Sequence, residues 1–144
     1  MMRYLVICLI IVACQTKQTT ITPTHNDGGY ELSFLKSQKP VLGDSITIYG
    51  RFKDVETKEA IKIGAVQFYC MQYFADSLGN YTFTIKRPST EIFLTGSAVG
   101  YRLIETDQFT VGENELVNIN LFLSQDDRPL INCEGIPSNR TIKQ

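Results

Sequence analysis

Residues 45–52 place Ile46, Ile48, Gly50 and Phe52 at every second position. A period of two puts one set of side chains on each face of an extended chain, the mark of a half-buried β-strand. Residues 64–70 repeat the pattern, with Gly64, Val66, Phe68 and Cys70 expected to face a core and Ala65, Gln67 and Tyr69 to face away. Tyr81, Phe83 and Ile85 alternate with Thr82 and Thr84, and Val117, Ile119 and Leu121 with Asn118 and Asn120. Further strands are predicted at 91–99 and 108–111, and residues 30–35 read as a short edge strand. Turn signals separate these runs. Asp54 and Thr57 can hydrogen-bond local backbone in a charged loop at 54–59. Gly79 is free to take positive φ at 76–80, Arg87-Pro88-Ser89-Thr90 turns the chain again, and Gly100 permits a bend. No stretch longer than a turn has helical periodicity. About seven short strands with a turn roughly every ten residues predict an all-β fold, a seven-stranded antiparallel β-sandwich. The sandwich is expected over residues 41–124.

The first fourteen residues read as targeting sequence rather than fold. Arg3 supplies a short basic start, and residues 4–12 form an apolar run interrupted only by Cys8. Such a run is too short to span a bilayer, which takes about 20 residues, and suits a signal peptide. It ends Ile11-Val12-Ala13-Cys14, which resembles a bacterial lipobox. That resemblance implies cleavage of residues 1–13 and acylation of Cys14, with the membrane as a partner through the lipid anchor. The alternative is an ordinary secretory signal with an incidental cysteine. Residues 15–29 are polar and Thr-rich, with Pro23 and a Gly28-Gly29 pair, so residues 14–40 are expected to be a lipidated cysteine and a flexible tether.

Charge is balanced, 14 Lys and Arg against 15 Asp and Glu, with no block of one sign. No nucleic-acid partner is therefore expected. Outside the cytoplasm Cys70 and Cys133 can pair, which in the chain-entropy model contributes about 4 kcal/mol. The alternative is one buried thiol and one in the tail. Residues 125–144 are polar and read as a C-terminal tail.

The strand motifs fall in a familiar order. Gly50-x-Phe52-x-Asp54-x-x-Thr57 is followed by an Ala60-Ile61-x-Ile63-Gly64-x-Val66 strand. Asp76-x-x-Gly79-x-Tyr81-x-Phe83 and Val99-Gly100-Tyr101 come next. This resembles the carboxypeptidase regulatory-like domain, common in envelope proteins of the Bacteroidetes and at the N-termini of TonB-dependent receptors. The resemblance covers about residues 45–123 and implies a transthyretin-like fold. It departs in having Lys58 where the family usually has Gly and Ala60 where it usually has Pro. The turn after Thr57 is the feature those departures affect.

Catalysis is not expected. The single histidine, His25, lies in the tether. Zinc carboxypeptidases need His and Glu ligands, and no Ser-His-Asp or Cys-His arrangement can be assembled around His25. No cofactor and no metal are expected. Residues 76–80 resemble half a calcium loop but lack alternating Asp or Asn ligands. Asp126-Asp127 reads as a solvated acidic pair. Asp44-Ser45-Ile46 and Asp76-Ser77-Leu78 resemble the O-glycosylation sequon of the Bacteroidetes, making Ser45 and Ser77 candidate sites. Tyr69, Tyr73 and Tyr101 are candidates for a sugar-stacking surface. The lipobox resemblance implies a lipoprotein, expected on the outer membrane and facing the periplasm. Its sandwich is expected to bind or scaffold an envelope protein or polymer, with strand addition at sheet edges as one docking mode. The alternatives are a carbohydrate-binding module and an accessory lipoprotein of a TonB-dependent transport system.

Overall fold

The computed structural model describes residues 20–37, 44–113 and 115–128. The signal segment, Cys14, Cys133 and residues 129–144 lie outside the described residues. The fold is all-β. Nine strands occur among the described residues: β1 (Thr22–Pro23), β2 (Gly29–Lys36), β3 (Ser45–Asp54), β4 (Gly64–Phe68), β5 (Met71–Phe74), β6 (Asn80–Lys86), β7 (Thr95–Ala98), β8 (Ile104–Glu105) and β9 (Glu115–Leu123). They form a five-stranded sheet in the order β1-β2-β9-β3-β6 and a four-stranded sheet in the order β5-β4-β7-β8.

The predicted alternation decides which faces meet. β3 sends Ile46, Ile48 and Phe52 inward, β9 sends Val117, Ile119 and Leu121, and β6 sends Tyr81 and Phe83. The second sheet answers with Val66, Phe68 and Ile104, and the chain leading into β7 adds Ile92 and Leu94. Burying one such side chain contributes about 1.5–3 kcal/mol. The Phe52 ring occupies space left by two glycines of the opposite sheet. A Cβ on Gly64 would lie 2.7 Å from that ring, and one on Gly96 3.4 Å from it. Tyr73 lies flat on Phe83, ring centroids 3.9 Å apart, and ties β5 to the core.

Four expectations are corrected. The sandwich is not wholly antiparallel, because β3 runs parallel to β9. Alternation assigns faces but carries no strand direction. The sheet begins well before residue 41. β2 pairs with β9 along its whole length and has β1 on its other side, so it is no edge strand and residues 22–36 are no tether. Tyr30, Leu32 and Phe34 supply its inner face, and the polar residues between them belong to its outer face. Nor does the fold stop at residue 124. Gln125 bridges to Tyr101, and the Asp126 N–H donates to the Gly100 carbonyl. Finally, Cys70 does not continue the inner face of β4. Tyr69 takes a φ of 50°, the chain reverses into β5, and Cys70 is left exposed in the turn.

Strand lengths also differ from the pattern. Of residues 91–99 only Thr95–Ala98 form a strand, and Phe109 makes an isolated bridge with Ile92 instead of a strand at 108–111. The turns fit better. Asp76 Oδ1 accepts the N–H groups of Leu78 and Asn80, both at 2.8 Å, and Gly79 has a φ of 77°. Asp54 Oδ1 accepts the N–H groups of Glu56 at 2.8 Å and Thr57 at 3.0 Å. Lys58 sits at a φ of 62°, the left-handed conformation that glycine adopts without cost.

Candidate binding groove

The outer face of the five-stranded sheet carries the site. Residues of β3 that do not enter the core point the other way, so Thr47, Tyr49, Arg51 and Lys53 form one outward row. Leu116, Asn118, Asn120 and Phe122 of β9 form the next. A groove of about 710 Å³ lies here, lined by Tyr49, Arg51, Asn80, Thr82, Asn118 and Asn120. Phe74, Ala75 and Asp76, leading from β5 into β6, complete its wall.

A break in the sheet underlies the groove. The β3–β9 ladder pairs Tyr49 with Asn118 and resumes at Phe52 with Leu121, skipping Gly50 and Arg51. At the break the Ile119 carbonyl accepts a 2.6 Å hydrogen bond from the Tyr81 hydroxyl. Gly50 is pressed so close to Ile119 that a Cβ would fall 2.6 Å from the Ile119 carbonyl carbon, and closer still to its oxygen. Burial pushes the Tyr81 phenol far up, so it stays a neutral donor. Tyr81→Phe leaves that buried carbonyl unpaired and is expected to cost about 1–3 kcal/mol, read as a lowered urea midpoint.

One wall of the groove is a polar chain. Arg51 Nε donates to Asn80 Oδ1 at 2.7 Å, and Asn80 Nδ2 donates to Asp76 Oδ2 at 3.2 Å. The Asn80 N–H, and then its side chain, hold the Asp76 carboxyl below its usual range, with the Arg51 charge adding to this. Asp76 therefore stays ionised and is a poor proton acceptor. On the other side Asn120 donates to Glu31 Oε2 at 3.2 Å. The groove thus presents amides, a hydroxyl, a phenol and a guanidinium, groups that recognise polar ligands.

The sequence-predicted sites are scattered. Tyr73 is stacked on Phe83, and Tyr101 is half-buried with its hydroxyl 3.3 Å from Asp54 Oδ2. Tyr69 is exposed at the β4–β5 turn, so the three tyrosines form no common surface. Ser45 opens β3, half-buried, and Ser77 is exposed in the 76–80 turn. His25 is exposed in the turn after β1, lining a cleft of about 550 Å³ with Asn26, Glu105 and Asp107. Asp126 is paired with Arg128 and Asp127 with Arg102, so the acidic pair is held by arginines. Among the described residues no three His, Cys, Asp or Glu side chains are grouped to hold a metal ion. Within the same residues no helix is long and apolar enough to cross a membrane.

The groove residues were not singled out by the sequence. Their signal was nonetheless present: Asn118 and Asn120 occupy outward positions of a strand, where asparagine is disfavoured. No protein-family model matches the chain, and no curated protein matches it.

Proposed function

We propose that this protein is a non-catalytic binding module of a bacterial envelope, tethered to the outer membrane by acylated Cys14 and facing the periplasm. In this reading its two sheets form a transthyretin-like sandwich of the carboxypeptidase regulatory-like type. Lys58 supports that assignment, because it takes the left-handed φ of 62° at the position where the family usually carries Gly. The observation that carries the binding reading is the outer-face groove. Its side chains donate and accept hydrogen bonds along an open sheet surface, and its carboxylate is held ionised by local N–H groups. Such a surface suits recognition of an envelope polymer or protein.

The test is a pull-down of the tagged full chain from its native envelope, with Cys14→Ser as control. The wild type is expected in the membrane fraction with a stoichiometric partner, and the Cys14→Ser chain in the soluble fraction. A Cys14→Ser chain that stays with the membrane would remove the lipid anchor from this account. Failure to capture any protein or polymer would remove the binding role.

A further inference from the structure

Of the four arginines among the described residues, Arg87, Arg102 and Arg128 each have an acidic partner within 3.5 Å. Arg51 lies on the groove and makes no ion pair among those residues; the Asp76 carboxylate of the same groove is joined to it only through Asn80. Its Nε is fixed by Asn80, which orients the guanidinium and leaves the salt-bridging capacity of its fork unused. Two lysines extend the positive charge along the same face. The ammoniums of Lys53 and Lys58 stand 5.5 Å and 5.3 Å from the Phe122 ring centroid, a ring buried beneath them. Neither lysine has an acidic partner among the described residues. Alternate residues of a strand stand about 7 Å apart. The row Tyr49, Arg51, Lys53 therefore forms an extended strip, an aromatic ring followed by two cations, beside Asn118 and Asn120.

We infer that this strip binds an acidic polysaccharide, a chain of sugar rings bearing carboxylates. The inference rests on the binding reading above and names its ligand class. Each part of such a ligand has a counterpart. Tyr49 offers an apolar ring face to a sugar ring. Asn118 and Asn120 each offer a paired donor and acceptor to neighbouring hydroxyls. The Arg51 fork matches a planar carboxylate in two-point geometry, and the lysines meet the next acidic units as point charges.

The experiment uses the full chain in non-ionic detergent and three probes. These are polygalacturonate, the same polymer with its carboxylates methyl-esterified, and phosphatidylglycerol vesicles. Polygalacturonate is expected to bind at least tenfold more tightly than the ester, and to weaken between 50 and 500 mM salt, as exposed charges are screened. Arg51→Gln should weaken it about tenfold while leaving the urea midpoint in place. Tyr49→Ala should weaken acid and ester alike. Equal binding of acid and ester, or an unchanged Arg51→Gln, overturns the acidic-ligand inference and leaves the binding role standing. Vesicle binding without polymer binding overturns it in favour of a membrane-facing surface. No binding to any probe overturns it too, and the envelope pull-down then decides the binding role separately.

Discussion

Gly50→Ala is expected to prevent folding, or to lower stability by more than about 3 kcal/mol, a large share of a typical total of about 5–15 kcal/mol. The reason is steric. An added Cβ would overlap the Ile119 carbonyl oxygen, stand 2.6 Å from its carbon, and lie 3.0 Å from the Tyr81 hydroxyl. The nearest two of these atoms are backbone of the neighbouring strand, so relief requires β3 and β9 to separate. The same movement would break the 2.6 Å hydrogen bond from Tyr81. Gly100 makes the useful contrast. Its φ is 81°, but a Cβ there would meet nothing within 4 Å. Gly100→Ala should therefore cost only the left-handed backbone penalty, about 1–2 kcal/mol. Urea unfolding of the two variants decides the matter. If Gly100→Ala is the more damaging, the close approach of β3 to Ile119 is not what the structure implies.

That contrast shows what was legible beforehand. The alternation along residues 45–52 placed Ile46, Ile48 and Phe52 on the inner face correctly, and the inner faces of β6 and β9 were equally clear. Alternation is a local property, and it survives folding because one face of each strand must leave water. Its limits are equally physical. Nothing local distinguishes a parallel from an antiparallel neighbour, so the β3–β9 pairing could not be foreseen. Nor could the hydrogen bond from Tyr81 to Ile119, which joins residues 38 apart in sequence. β2 is hard to recognise because its inward residues Tyr30, Leu32 and Phe34 are few and separated by Glu31 and Ser33, and because a run of threonines precedes it. β5 carries no alternation to read, since three of its four residues are exposed and Tyr73 is its one anchor. The groove suffered most. It depends on which outward rows lie side by side, Tyr49 and Arg51 against Asn118 and Asn120, and that is set by sheet order rather than by any one segment.

Asp54→Ala is the second large effect, expected to cost about 3–5 kcal/mol. The carboxylate is 3% exposed and fully engaged. Oδ1 takes the N–H groups of Glu56 and Thr57. Oδ2 takes Gln125 Nε2 at 3.0 Å and the Tyr101 hydroxyl at 3.3 Å. One side chain thus closes the 54–59 loop and fastens both Tyr101 and the segment after β9. Removing it strips partners from four donors at once. The Thr57 N–H, then the Gln125 amide, hold its carboxyl down at about 2 from an ordinary 3.8, against the opposing effect of burial. A carboxyl depressed in the folded state stabilises that state above its unfolded pKa and loses the contribution as pH falls. Here the loss runs from about pH 4 down through about pH 2. The difference in pKa corresponds to about 2 kcal/mol, at 1.36 kcal/mol per unit. Asp76, Asp126 and Asp127 are also held low by their hydrogen-bond partners, so the wild-type acid limb is a composite. Asp54→Asn isolates the contribution, since it preserves shape and leaves the other three acids in place. Its unfolding free energy should lie below that of the wild type at pH 6, and the gap should close by about 2 kcal/mol between pH 4 and pH 2. A gap that stays constant with pH would mean that Asp54 acts through its shape and hydrogen-bond geometry alone, with no part played by its charge.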